Sequence, residues 1–343
     1  MPVYIKIIRF VVFVGFTVVY TTTLMAQVIT GKVIDAETKQ PIEGANIYLN
    51  GTYKGTSSNK EGNFTLHTEE HQIPLIISYV GYESKIINHY SDEYFQVSLS
   101  RKKNILHEVT IGVTEGMSRA DEMAIFLREF IGSTGRDCII SNPDDIYFTY
   151  HKKNRELIAR ADQPLLIHNK LLGYKITYFL SYFNHIPDET MYQGNYFFAE
   201  DTTGLAPNEI KKIYRARDEA YFGSRMHFIR SLWADELKEN FFDLYITDPA
   251  NTKFYPDSNR RLYKDIVTTN GAGKAIRLKK EMIIIYLGGK TESSLLDEKE
   301  LNTSSFIGSN GWFSSDLTWS GEMGVQRVNK LLPFEFEPKK KYR

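Results

Sequence analysis

Residues 31–84 alternate short apolar segments with clusters of turn-forming residues, and this pattern restricts the fold more than any other feature of the chain. Short strands with regularly spaced turn signals are typical of an antiparallel β-sandwich. Within this stretch, the segment 59–63 (Asn-Lys-Glu-Gly-Asn) is expected to form a hairpin turn, because Gly62 can adopt a positive φ without a steric clash. The pattern therefore predicts an all-β domain at the N-terminal end.

Four motifs of this stretch also resemble a known family. They are Gly-Lys-Val-Ile-Asp at 31–35, Pro-Ile-Glu-Gly-Ala at 41–45, Asn-Lys-Glu-Gly-Asn-Phe at 59–64 and Tyr-Val-Gly-Tyr at 79–82. Together they resemble the carboxypeptidase regulatory-like domain, a transthyretin-like β-sandwich common on secreted and outer-membrane proteins of the Bacteroidetes type. The resemblance implies a transthyretin-like sandwich over residues 27–100 that carries no chemistry of its own.

The remaining length is sufficient for a second domain. A polar break follows the sandwich, so residues 101–117 are predicted to be a linker or an added strand that uses 106–111. Residues 118–343 are predicted to form an α+β domain with a mainly antiparallel sheet, since helical patterns interrupt segments rich in Tyr, Phe and Ile. The predicted helices cover 118–131, 207–221 and 225–240. The predicted strands include 146–151, 157–161, 165–169, 173–183, 196–199 and 326–332, with a hairpin at Asn270-Gly271.

The first 26 residues are predicted to be a signal peptide. Lys6 and Arg9 precede an apolar run at 10–20, and Ala26 supplies the small residue at which cleavage is expected. A transmembrane helix needs about 20 apolar residues, and this run is shorter. An uncleaved membrane anchor is the alternative. We therefore expect export to the periplasm or outer membrane, with any membrane association through a partner or through the uncleaved signal.

The charge balance argues against nucleic-acid binding, and the single cysteine excludes a disulfide within the chain. Lys plus Arg and Asp plus Glu each total 42, so the chain has no net charge to attract nucleic acid. Cys138 is the only cysteine, which rules out a disulfide within the chain, and the apolar residues after it predict a small buried side chain. No nucleic-acid partner is therefore expected.

Three segments have the spacing of a metal or phosphate site, and each is incomplete. His67 and Glu70 have the His-x-x-Glu spacing of zinc carboxypeptidases but lie at a strand end of the sandwich. His185 precedes two acidic residues without a second histidine at ligand spacing. The segment 270–274 lacks the first glycine and the final hydroxyl of a phosphate-binding loop. No metal and no cofactor are therefore predicted.

Residues 215–230 contain the densest group of side chains that could bind a ligand. Arg215, Arg217, Tyr221 and His227 form the predicted ligand-binding patch, since two cations, a phenol and an imidazole occur within two predicted helices. The alternative is core packing, in which His227 is buried and its nitrogens are satisfied.

The same segment also raises the possibility of catalysis. Asp218, Ser224 and His227 have the residue types of a hydrolase triad. The sequence around Ser224, Phe-Gly-Ser-Arg-Met, lacks the second glycine of a nucleophile elbow. A hydrolase is accordingly kept as the alternative function, and no residue is predicted to be catalytic.

Aromatic residues are concentrated between 178 and 198. Alternating aromatic residues usually pack in a core, but exposed rings can stack on sugars at little entropic cost. The sequence thus predicts an exported, non-enzymatic binding or adaptor protein that recognises an envelope protein or a glycan.

Overall fold

The computed structural model describes most of the chain beyond the predicted signal peptide. The described residues are 27–69, 73–88, 90, 94–102, 116–132, 137–246, 266–270, 273–277, 282–287, 291–297, 305–314 and 317–339. The predictions for 1–26 and for 106–111 fall outside them. Within them, no helix combines the length and the apolar character that a membrane span requires.

The first domain is a sandwich of two sheets, as the sequence predicted. Its strands are β1 Gln27–Asp35, β2 Asn46–Leu49, β3 Gly55–Ser57, β4 Asn63–Thr68, β5 Leu75–Ser78, β6 Lys85–Ile87 and β7 Phe95–Leu99. One sheet has the order β4-β1-β7 and the other has the order β3-β2-β5-β6. β7 runs parallel to β1, whereas the sequence predicted antiparallel pairing throughout. Side chains alternate between the core and solvent along β4, where Phe64 and Leu66 are buried.

The turn at 59–63 forms, but the hairpin predicted there is wrong. Gly62 has a φ of 79° and its N–H donates to the Asn59 carbonyl at 2.8 Å. The strands on either side belong to different sheets, because β3 pairs with β2 whereas β4 pairs with β1. Local turn chemistry fixes the reversal of the chain, and burial of the apolar faces decides which strands pair.

The second region contains one large antiparallel sheet. Its strands are β8 Cys138–Ile140, β9 Ile146–His151, β10 Glu156–Ala161, β11 Leu165–Asn169, β12 Tyr174–Ile186 and β13 Glu189–Glu200. β12 pairs with β13 along its length, while β11 lies beside the first half of β12 and β10 beside the second half. We call this the main sheet. The predicted fold class, a sandwich followed by an α+β region, is confirmed.

A helix covers one face of the main sheet. Helix α1, Arg119–Phe126, begins at Ser118, whose Oγ accepts the Asp121 N–H at 3.2 Å, and it continues as a π-helical turn, Leu127–Ile131. The Phe126 and Phe130 rings lie 4.8 Å and 6.4 Å from the ring of Phe183 on β12. Cys138 is buried in this core, as predicted.

The rest of the chain builds a second, smaller core. Helices α2, Pro207–Tyr221, and α3, Arg225–Ala234, precede two small sheets. Their strands are β14 Phe242–Ile246, β15 Val267–Asn270, β16 Gly273–Ile276, β17 Met282–Tyr286, β18 Thr291–Asp297, β19 Ser305–Ile307 and β20 Leu317–Ser320, followed by the short helix α4, Gly321–Gly324. The hairpin predicted at Asn270-Gly271 is confirmed by the pairing of β15 with β16.

Two predicted elements differ from the structure in this part. The helix predicted over 225–240 ends at Ala234, because Asp235 adopts a left-handed conformation and its N–H donates to the Leu232 carbonyl. The strand predicted over 326–332 is wrong, since Val328–Lys330 forms a 3-10 turn. Its apolar side chains pack into the core beneath the main sheet from an irregular segment. The alternation of apolar residues in the sequence therefore did not reflect strand pairing.

The sandwich is docked on the main sheet through backbone and aromatic contacts. The Gly51 N–H donates to the Tyr196 carbonyl at 2.7 Å, and the Phe198 N–H donates to the Thr52 carbonyl at 2.9 Å. The loop after β2 thereby adds to the edge of β13. On the sheet face, the buried Tyr48 ring lies 4.7 Å from Phe197. The two domains therefore share a hydrogen-bonded, apolar interface.

Candidate functional site

Arg217 of the predicted patch lies inside the fold. Its side chain is 5% exposed and lies against the Tyr174 ring, with the guanidinium carbon 3.9 Å from the ring centroid. It donates to the carbonyls of Leu172 and Gly173 at 2.7 and 3.1 Å, and to the Glu200 carboxylate at 2.6 Å. Arg217 thus ties α2 to the turn between β11 and β12.

Arg215, on the same helix, points to solvent. Its guanidinium pairs with Glu219 one turn later at 2.9 Å, and both side chains are mostly exposed. Tyr221 is buried, and its ring contacts Phe336 at 5.7 Å between centroids. Burial raises the pKa of the Tyr221 hydroxyl. The structure therefore does not bring the four predicted ligand-binding residues together on one surface.

His227 is a buried neutral histidine. Its Nδ1 accepts the Gly223 N–H at 3.1 Å, which leaves Nε2 as the donor to Oδ1 of Asn240 at 3.3 Å. The aromatic rings of Tyr221, Phe222, Phe242 and Tyr286 surround the imidazole at centroid distances of 4.9 to 5.8 Å. Burial lowers the pKa of His227 to about 4. This geometry favours the core-packing alternative.

The hydrolase alternative needs a hydrogen bond between hydroxyl and imidazole. Ser224 instead caps α3, since its Oγ accepts the backbone N–H of His227 at 3.1 Å. The Asp218 carboxylate accepts the Lys339 N–H at 3.0 Å. Both ring nitrogens of His227 face other partners, so these three side chains do not form a relay.

A glycine makes the close packing of this segment possible. Gly223 has a φ of 79°, and a Cβ added there would lie 2.9 Å from Cδ1 of Tyr286. The neighbour that approaches is the Tyr286 ring of β17. The segment 215–230 thereby joins the main sheet to the smaller core.

His185 belongs to a polar network at the end of the β12–β13 hairpin. Its Nδ1 lies 2.8 Å from Oγ1 of Thr190, which donates to the Glu129 carboxylate at 3.2 Å. Glu129 also pairs with Arg128 at 2.7 Å and with Arg327 at 3.5 Å. Burial lowers the pKa of His185. Across the described ranges, no three His, Cys, Asp or Glu side chains are placed to hold a metal ion.

The outer face of the main sheet, opposite α1, is only half covered. The sandwich lies over its first half, where Phe179 and Phe197 contact Tyr48. Beyond it, Tyr182 is 41% exposed and Tyr147 is 58% exposed. We call this uncovered half, formed by outward side chains of β9, β10, β12 and β13, the open face.

The strand register orders the open face into rows. Tyr147 pairs with Arg160, and Tyr182 pairs with Gln193. Pairing of β10 with β12 ends at Ala159 and Phe183, so Arg160 and Tyr182 are the next residues across these strands. One row therefore reads Tyr147, Arg160, Tyr182 and Gln193.

The next row mixes apolar and polar groups. Thr149 pairs with Ile158, Ile158 with Asn184, and Asn184 with Met191. Met191 is 52% exposed. The sequence analysis missed this surface, although the alternation in Ile146–His151 already assigns residues 147, 149 and 151 to one face.

Comparison with known proteins identifies the first domain alone. Residues 29–111 match the CarboxypepD_reg-like domain family. No curated protein matches the chain. The C-terminal domain of the shaft pilin SpaA from Lactobacillus rhamnosus GG is 14% identical with a TM-score of 0.19, over 23% of this chain and 99% of that one. A Bacteroides fragilis protein of unknown function is 10% identical with a TM-score of 0.17, over 82% of this chain and 89% of that one.

Neither structural likeness is high enough to inform function. The family match covers the four motifs at 31–35, 41–45, 59–64 and 79–82 on which the resemblance was based. Residues 29–111 are thus identified as a carboxypeptidase regulatory-like domain.

Proposed function

We propose that the protein is an exported, non-enzymatic adaptor that acts in the periplasm or at the outer membrane and recognises an envelope protein or a glycan. The observation that carries this proposal is the open face, where Tyr147, Tyr182 and Met191 are exposed on the same side of the main sheet. Exposed apolar side chains that group on one face of a domain commonly mark a binding surface.

The docked sandwich supports an adaptor role. It covers the other half of the same sheet face, and its loop 50–54 hydrogen-bonds to β13. A ligand on the open face would therefore be held in a fixed orientation relative to the sandwich.

The state of the titratable side chains supports a non-enzymatic role. Arg217 and His227 make hydrogen bonds within the fold. Asp218 and Ser224 satisfy backbone N–H groups. Groups engaged in this way stabilise the packing of α2 and α3 and are not poised for proton transfer.

The test is sedimentation of purified protein with isolated envelopes. The double variant Tyr147→Ser, Tyr182→Ser should lose most of the retention, because it removes both exposed rings of the open face. Phe306→Ser is the matched control, since Phe306 is a 45% exposed aromatic residue on β19. Equal retention of wild type and double variant would refute the proposed surface, and substrate turnover abolished by Ser224→Ala would refute the non-enzymatic role.

A further inference from the structure

Two tyrosines flank an arginine in the first row of the open face. Tyr147 and Tyr182 lie on β9 and β12 with Arg160 of β10 between them. Adjacent strands are about 4.8 Å apart, so the backbones of the two tyrosines are about 10 Å apart. This separation suits two sugar rings of one chain that are separated by a third ring over Arg160, with each outer ring stacked on one phenol.

Arg160 is available to an anionic ligand. It is exposed and makes no ion pair or side-chain hydrogen bond with any residue that the structure describes. The acid on the same face of β10, Glu156, accepts a hydrogen bond from Asn184 at 2.5 Å. A guanidinium presents a planar fork of donors that matches a carboxylate or a sulfate. The row therefore offers one uncompensated cation between two rings.

The neighbouring polar groups suit sugar hydroxyls. Gln193 ends the first row, and Thr149 and Asn184 lie in the second row. Amides and hydroxyls both donate and accept hydrogen bonds, as sugar hydroxyls do. The centre of a protein–protein interface is usually apolar and depleted of charged residues. Here the charged Arg160 lies between the two rings.

Building on the proposed function, we propose that the open face binds an acidic oligosaccharide. Two of its rings stack on Tyr147 and Tyr182, and its carboxylate or sulfate pairs with Arg160. The sandwich, docked beside this row, limits the ligand to the uncovered half of the sheet. An extended chain of sugars can lie across the four strands without a deep pocket.

The test uses a printed array of acidic and neutral oligosaccharides, followed by titration calorimetry with an acidic oligosaccharide that binds. Arg160→Gln should weaken binding roughly ten- to hundredfold, as expected for loss of a charge-assisted hydrogen bond, and Arg160→Lys should retain part of it. Tyr147→Leu and Tyr182→Leu should each weaken binding to acidic sugars. Lys211→Gln, which removes an exposed cation of α2, is the control and should bind as wild type does.

Pretreated envelopes separate this inference from the proposed function. Periodate oxidation, which cleaves sugar diols, should abolish retention, whereas protease treatment should not. The reverse pattern would mean a protein partner, which refutes the glycan and leaves the adaptor standing. A dimer that Tyr182→Leu dissociates, or an array without acidic ligands, would also overturn the inference. Retention that is insensitive to Tyr147 and Tyr182 would refute both proposals.

Discussion

Adding one methyl group at Gly51 should weaken the docking of the sandwich. Gly51 has a φ of 73°, and a Cβ there would lie 2.6 Å from Cε2 and 2.9 Å from Cδ2 of Phe334. Its N–H and carbonyl are both bonded, to Tyr196 at 2.7 Å and to the Phe334 N–H at 2.9 Å, so the backbone has little freedom to move away. The left-handed conformation costs an alanine about 1–2 kcal/mol, and overpacking adds about 1–3 kcal/mol.

Gly51→Ala should therefore lower the free energy of unfolding by about 2–5 kcal/mol. Gly44→Ala is the matched control, because Gly44 has a φ of 74° but nothing lies within 4 Å of its added Cβ. The control should show the conformational cost alone. Urea unfolding followed by circular dichroism and tryptophan fluorescence measures both, since Trp312 packs against the sandwich core.

A second substitution tests whether the ring is the cause. Phe334→Leu should make Gly51→Ala less costly than in the wild-type background, since the nearest clashing atom, Cε2, is one that leucine lacks. Equal destabilisation by Gly51→Ala and Gly44→Ala, or additive effects of Gly51→Ala and Phe334→Leu, would refute the steric argument.

Three further predictions concern stability. In urea unfolding, Arg217→Gln should cost roughly 2–4 kcal/mol because two buried carbonyls lose their donor, whereas Arg215→Gln should cost less than about 0.5 kcal/mol. Burial holds the pKa of His227 at about 4, below its usual 6.5. Between these two values the unfolded chain binds a proton at His227 that the folded protein does not bind. The free energy of unfolding should accordingly fall by about 3 kcal/mol as the pH drops from 6.5 to 4. His227→Gln should flatten the dependence of the free energy of unfolding on pH between pH 7 and 5. The fragment 27–103 should show β-type circular dichroism but unfold at lower urea than the docked sandwich, since Tyr48 loses its cover.

Local patterns were sufficient for most single elements. The bounds of β9 and β11 match the predicted strands to the residue, because each is an apolar or alternating run that ends at turn residues. β13 was predicted over 196–199 alone, yet it spans Glu189–Glu200. Its first half is polar and carries no strong periodicity, so pairing with β12 holds it as a strand.

The candidate site depended on contacts that the sequence does not encode locally. Arg217 has the residue type of a ligand-binding cation, but its hydrogen-bond acceptors, Leu172 and Gly173, lie on a turn more than forty residues earlier. The side chains of 215–230 include strong hydrogen-bond donors and acceptors. Arg217, Tyr221 and His227 point into the fold because of how α2 and α3 pack.

A single irregularity in β12 prevents prediction of the open face from the sequence. The register shifts between Leu180 and Tyr182, so that Ser181 is an extra residue opposite β13. Because side chains alternate strictly along a strand, one extra residue reverses the faces beyond it. Without the bulge, Tyr182 would point to the core and Phe183 to solvent. The same insertion places Phe183 against Phe130 and exposes Tyr182 beside Arg160, which makes the bulge a common requirement of the main core and of the proposed binding surface.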